Sequence, residues 1–162
     1  MIVPAVFIGL AFILFFGAFL SKRRFGLLGL ALTAGATLST IWSYDAGLIV
    51  SSTGLVPAGP MTNAVALSLV VLLPAIVLLF HGYRYKALYS RVIGSLFFTV
   101  LALAFLLEPI AFALPLEGTS ASLYKQALSY KEIIISVGVV LAVVDLFFTK
   151  PAHIVEKNGK KK

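Results

Sequence analysis

The chain has 162 residues, 60% of them apolar and only 12% charged, with a mean hydropathy of +1.06. A water-soluble domain covers its surface with roughly a quarter of its residues charged, so the composition excludes a soluble fold and points to an integral membrane protein. The absence of cysteine excludes disulfides, thiolate metal sites and a cysteine nucleophile. The formal charge of +7 does not signal a nucleic-acid partner, because its placement is that of a membrane topology signal.

A membrane-crossing helix needs about 20 mainly apolar residues, and its backbone groups must be satisfied within the segment. Five segments meet this requirement, which predicts an all-α bundle of five transmembrane helices in a single domain, 1–149, with a basic tail, 150–162. The first span, 3–21, carries Phe7, Phe12, Phe15, Phe16 and Phe19 and is expected to face lipid. The basic turn Lys22-Arg23-Arg24 follows it, the reverse of the order in a cleaved leader, and no such leader is expected.

The second span, 25–42, has two stripes of small residues, Gly29–Thr33–Thr37–Thr40 and Ala31–Gly35–Ser39. Small residues let helix backbones approach closely in lipid, so this helix is placed at the centre of the bundle. Trp42 and Tyr44 at its far end suit an interfacial anchor. Residues 43–61 lack Lys and Arg and contain Gly54, Pro57, Gly59 and Pro60, which predicts an outer loop, with 47–50 apolar enough to touch the interface and a short re-entrant or surface segment there as the alternative. The third span is 62–81. The stretch 82–91, GYRYKALYSR, supplies Arg84, Lys86 and Arg91, with Tyr83, Tyr85 and Tyr89 as interfacial aromatics.

The fourth span, 92–114, contains Glu108 directly before Pro109. Proline cannot continue the helical hydrogen-bond ladder, so a kink or a helix end is expected there. Within 116–131, Leu123, Ala127 and Tyr130 recur at helical spacing, predicting a short amphipathic helix on the outer surface. The fifth span, 132–149, aligns Gly138, Ala142 and Asp145 at i, i+4, i+7, which turns the aspartate inward with the small residues.

If the five spans alternate, Lys22, Arg23, Arg24, Arg84, Lys86, Arg91 and the tail lysines fall on one side. Of the 13 Lys and Arg residues, only Lys125 and Lys131 fall on the other. The positive-inside rule then predicts the N-terminus outside and the C-terminus in the cytoplasm, in what is expected to be a bacterial cytoplasmic membrane. The lipid bilayer is the expected partner, together with a homo-oligomer or a membrane complex, and no nucleic acid.

Glu108 and Asp145 are the candidate intramembrane polar residues, since an ionisable group in a span is a functional candidate by default. At 1.5 Å per residue, Glu108 lies about 9 Å from the outer end of its span and Asp145 about 6 Å from the inner end of its own. They are expected in opposite halves of the bilayer, Glu108 near outer water or Lys131, and Asp145 within reach of Lys150, Arg91 or Lys86. His81 and His153 have no metal-site spacing, and neither a nucleophile elbow nor a phosphate-binding loop is present. No catalytic, cofactor-binding or metal-binding residue is assigned, and an enzyme is not expected.

At Ser90–Leu106, SRVIGSLFFTVLALAFL, the chain resembles the colicin V production (CvpA) family of small bacterial inner-membrane proteins. Arg91 and Gly94 match that family's entry into its last membrane helix; Ser90 replaces the family's acid and Phe98 a second glycine. The turn KRRFG is similar to the family's basic first turn, with a different residue order, and the family's first-helix acid is absent. The resemblance covers residues 3–114, and the fifth span lies beyond the family's four. It implies a non-catalytic role in bacteriocin production, secretion, transport or envelope maintenance. The residues alone keep two alternatives open: a small transporter or channel subunit with Glu108 and Asp145 on a polar path, and a structural subunit that assembles through the small-residue faces of the second and fifth spans.

Overall fold

The computed structural model of the protein describes residues 2–54, 57, 59–81, 85, 87–111, 113 and 119–148. Among them run six α-helices: α1 (Ile2–Ser21), α2 (Phe25–Ile41), α3 (Asp45–Ser52), α4 (Pro60–Phe80), α5 (Leu88–Ala111) and α6 (Thr119–Phe147). The fold is all-helical. Helices α4, α5 and α6 are each long and apolar enough to cross a membrane, and α2 with α3 forms a fourth candidate if the bent pair is one span. Helix α1 is a shorter apolar helix over Ala5–Ser21. The described parts of the five expected segments lie on helices, three of which, or four with the bent pair, are long and apolar enough to cross a membrane.

Two segments differ from expectation. The outer loop after α2 is partly helical: α3 leaves the axis of α2 at 83°, and Gly47 lies so close to Asn63 of α4 that a Cβ would collide with its amide. Glycine at that position is what lets α3 seat on α4. The short surface helix expected within 116–131 is instead continuous with the fifth span, making α6 29 residues long, or about 44 Å. No glycine or proline interrupts 119–137, so nothing in the backbone chemistry breaks the helix where the polarity changes. Leu123, Ala127 and Tyr130 do share one face, and it lines a cavity of about 470 Å³ beside Val100, Leu103 and Leu107 of α5.

Helix α5 runs through Pro109 to Ala111. Helix α2 packs against α4, α6 and α5, while α1 lies along α5 and barely touches α4. Phe12, Ile13, Phe16 and Leu20 of α1 are exposed on the outside of the bundle, as the phenylalanine-rich run predicts.

The glycines of the small-residue stripes make closed contacts. A Cβ on Gly29 would come 2.8 Å from the Cβ of Ala142, and one on Gly138 would come 2.8 Å from Leu101. A Cβ on Gly35 would overlap the Val71 carbonyl of α4. Ala142, Leu101, Leu28 and Leu32 are fully buried at these crossings. Gly35→Ala is therefore expected to lower stability by about 1–3 kcal/mol through overpacking. Gly9→Ala, where a methyl meets nothing within 4 Å, is expected to be neutral or to stabilise by up to about 1 kcal/mol. Reversible unfolding in mixed micelles measures both.

Candidate functional site

Helix ends in a poorly solvated bundle leave backbone groups that need partners from elsewhere in the chain. At one end of this bundle the charged residues meet that need. Helix α2 begins at Phe25 with Arg24 as its N-cap, and the Arg24 side chain makes no capping bond. The amide of Gly26 instead donates to Oδ2 of Asp145, 2.8 Å away on α6. The Tyr85 hydroxyl donates to the same oxygen at 3.1 Å and accepts from the Phe25 amide at 3.1 Å. Asp145 is thus a remote N-cap, in a favourable position for a carboxylate on the helix dipole.

Asp145 faces inward as its spacing with Gly138 and Ala142 predicts, and its described partners include the Gly26 amide and the Tyr85 hydroxyl. Arg91 is occupied elsewhere, and Lys86 and Lys150 lie outside the described residues. Tyr85 is not a plain interfacial anchor. Its backbone amide donates to the Lys22 carbonyl at 2.8 Å, its ring edge fills the space left by the absent side chain of Gly94, and the Arg24 guanidinium lies 5.5 Å over the ring. Burial, together with the nearby Asp145 carboxylate, pushes the Tyr85 hydroxyl up to about 12, so at neutral pH it keeps the proton that it gives to Asp145.

The basic residues at this end also have structural partners. Arg23, only 8% exposed, donates from Nε to the Leu79 carbonyl at 3.0 Å and from Nη2 to the Phe80 carbonyl, capping the C-terminus of α4. Arg91 donates from Nη2 to the Phe19 carbonyl at 2.9 Å and stacks over the Phe19 ring at 4.5 Å, capping the C-terminus of α1. A cation at a helix C-terminus is favoured by the dipole. Arg84 lies outside the described residues. Beside this clamp, Phe25, Tyr85, Tyr89, Gly94, Phe97 and Asp145 line a cavity of about 370 Å³.

At the opposite end, Glu108 of α5 pairs with Lys131 of α6 at 2.5 Å, the partner expected from the sequence. The Glu108 side chain is 58% exposed and that of Lys131 15%, so solvent screens the pair and its contribution is about 1 kcal/mol at most. A second cavity, about 400 Å³, is lined here by Glu108, Lys131 and by Thr33, Thr37, Ser39 and Thr40 of α2. The threonine hydroxyls donate within their own helix, Thr33 to Gly29, Thr37 to Thr33 and Thr40 to Ala36.

The two carboxylates do not come together. From Gly26, which touches Asp145, to Thr37, which shares the cavity with Glu108, α2 rises about 16 Å. Between them stand the buried crossings of Gly29, Ala142, Leu101 and Leu32. The buried hydroxyls of Ser95 and Thr99 donate back to the carbonyls of Arg91 and Ser95 within α5. Among the described residues no group of three or more His, Asp or Glu could hold a metal ion.

No family model, curated protein or solved structure matches the chain. Asp145→Leu, which leaves the Gly26 amide without its acceptor, is expected to cost about 1–3 kcal/mol. Asp145→Asn, which keeps an acceptor oxygen and loses the charge, is expected to cost less. The comparison of the two in the same unfolding assay reads the cap directly.

Proposed function

We propose that the chain is a five-span protein of a bacterial cytoplasmic membrane, N-terminus outside and C-terminus inside. In this reading it supports secretion, transport or envelope maintenance without catalysis, in the manner the resemblance to the colicin V production family implies. The observation that carries the non-catalytic part is the use made of its ionisable groups. Asp145, Arg23 and Arg91 are spent on helix ends, Glu108 on Lys131, and the layer between the two carboxylates is packed with small and apolar side chains.

The topology draws support from the meeting of the turn at 22–26 with Tyr85, Arg91 and Asp145 at one end of the bundle. Those positions belong to the segments that carry most of the positive charge. Of the residues behind the family resemblance, Arg91 caps α1 and Gly94 seats Tyr85, so both have structural work at the same end. Assembly of a larger complex through the small-residue faces of α2 and α6 is less favoured, because Gly29, Gly35 and Gly138 are already in close contact within the chain. A transporter reading keeps one observation in its favour, the hydroxyl-lined cavity beside Glu108 and Lys131.

Single cysteines at Thr99, Ala104, Glu108 and Ala142, in sealed proteoliposomes of known orientation, separate these readings through a membrane-impermeant maleimide. Labelling is expected at Glu108 only, from outside, with Lys22→Cys reacting from the cytoplasmic side as a topology control. Labelling that continues from Glu108 through Ala104 and Thr99 to Ala142 would sink the non-transporting reading, and Lys22→Cys reacting from outside would sink the orientation.

A further inference from the structure

A groove of about 460 Å³ lies between the C-terminal ends of α1 and α4, apart from the Asp145 clamp and the Glu108 cavity. It is lined by Gly17, Leu20, Lys22, Arg23, Leu79 and Phe80. Its composition is that of an amphiphile site: an apolar floor, Ser21 and two cations at one end, and no carboxylate among the described lining residues. The floor is open at Gly17, where a Cβ would meet nothing within 4 Å. The loose apposition of α1 and α4 keeps the walls apart. Leu20 and Phe80 flank it as strongly exposed apolar side chains, a surface suited to acyl chains.

The cationic end is built rather than incidental. Arg23 is buried and held in place by the Leu79 and Phe80 carbonyls. Lys22 is exposed and sits in the left-handed backbone region at φ 59°, a conformation that costs a non-glycine residue about 1–2 kcal/mol. Its amide neighbours fix it there, for the Lys22 carbonyl accepts from the Tyr85 amide. From that position a lysine can rest its stem on apolar surface and offer its ammonium at the membrane boundary.

We propose that this groove binds one anionic glycerophospholipid, its phosphate beside Lys22 and Arg23 and an acyl chain along the floor at Gly17 and Leu20. Basic pockets between membrane helices are suited to such headgroups. The inference rests on the membrane reading and holds for either orientation of the chain.

The test is native mass spectrometry of the full chain released from an uncharged detergent, titrated with dioleoyl phosphatidylglycerol or dioleoyl phosphatidylcholine. One phosphatidylglycerol is expected to be retained at least tenfold more tightly than phosphatidylcholine. Lys22→Gln is expected to weaken it about fivefold, and Gly17→Phe, which fills the floor and keeps the charge, to remove it. Lys131→Gln, at the other end of the bundle, is the control and leaves binding unchanged. Equal retention of the two lipids, undiminished phosphatidylglycerol binding in either groove variant, or displacement by millimolar inorganic phosphate would overturn the proposal. Release of the protein from membranes by alkaline carbonate would instead defeat the membrane reading, a distinct outcome.

Discussion

Unpaired backbone groups at helix ends are the constraint around which this structure is organised. In a hydrocarbon setting each such group costs several kcal/mol, and at the basic end of the bundle long helices begin or stop close together. The chain resolves this with side chains borrowed from neighbouring helices. Arg91 of α5 caps α1, Arg23 ahead of α2 caps α4, and Asp145 of α6 with Tyr85 caps α2. Every long helix gives or receives a cap, so the end acts as one stitched unit rather than five separate termini.

The stitching sets the rest of the packing. Holding the Asp145 carboxylate at the first turn of α2 fixes the register of α6 against it, which places Ala142 opposite Gly29. Those crossings are closely packed. The hydroxyls of Ser95 and Thr99 satisfy themselves on their own helix. The polar groups are thereby divided between two ends, and the exposed Glu108–Lys131 ion pair lies where α6 continues past the expected outer boundary. The same clamp shapes the lipid groove, because the turn that presents Lys22 is held by Tyr85 and Arg23.

Much of this was legible in the sequence, for reasons that can be stated. Placement of the long apolar helices follows from apolar length. The central position of α2 and the inward face of Asp145 follow from small residues at helical spacing, and the Glu108–Lys131 pair from depth and charge. The roles of Arg23, Arg91 and Tyr85 were hidden because their partners are backbone carbonyls and amides far along the chain. Every residue carries such groups, so no residue type marks them; a basic turn that caps helices looks like one that only sets topology. The helix α3 was missed because glycine and proline cluster just after it. The continuity of α6 was missed because a polarity change at Ser129–Glu132 resembles a boundary when no breaker residue is required to cross it.

Hydrogen exchange of the Gly26 amide, followed by NMR of the uniformly ¹⁵N-labelled chain in micelles, tests the central claim most directly. The first amides of a helix ordinarily lack an intrahelical acceptor and exchange readily. With Asp145 as acceptor for Gly26 and Tyr85 for Phe25, both amides are expected to be protected to the degree seen at Leu28 within the helix, and to lose that protection in Asp145→Leu. Rapid exchange at Gly26 in the unmodified chain would contradict the account, since the end that organises the bundle would then be open.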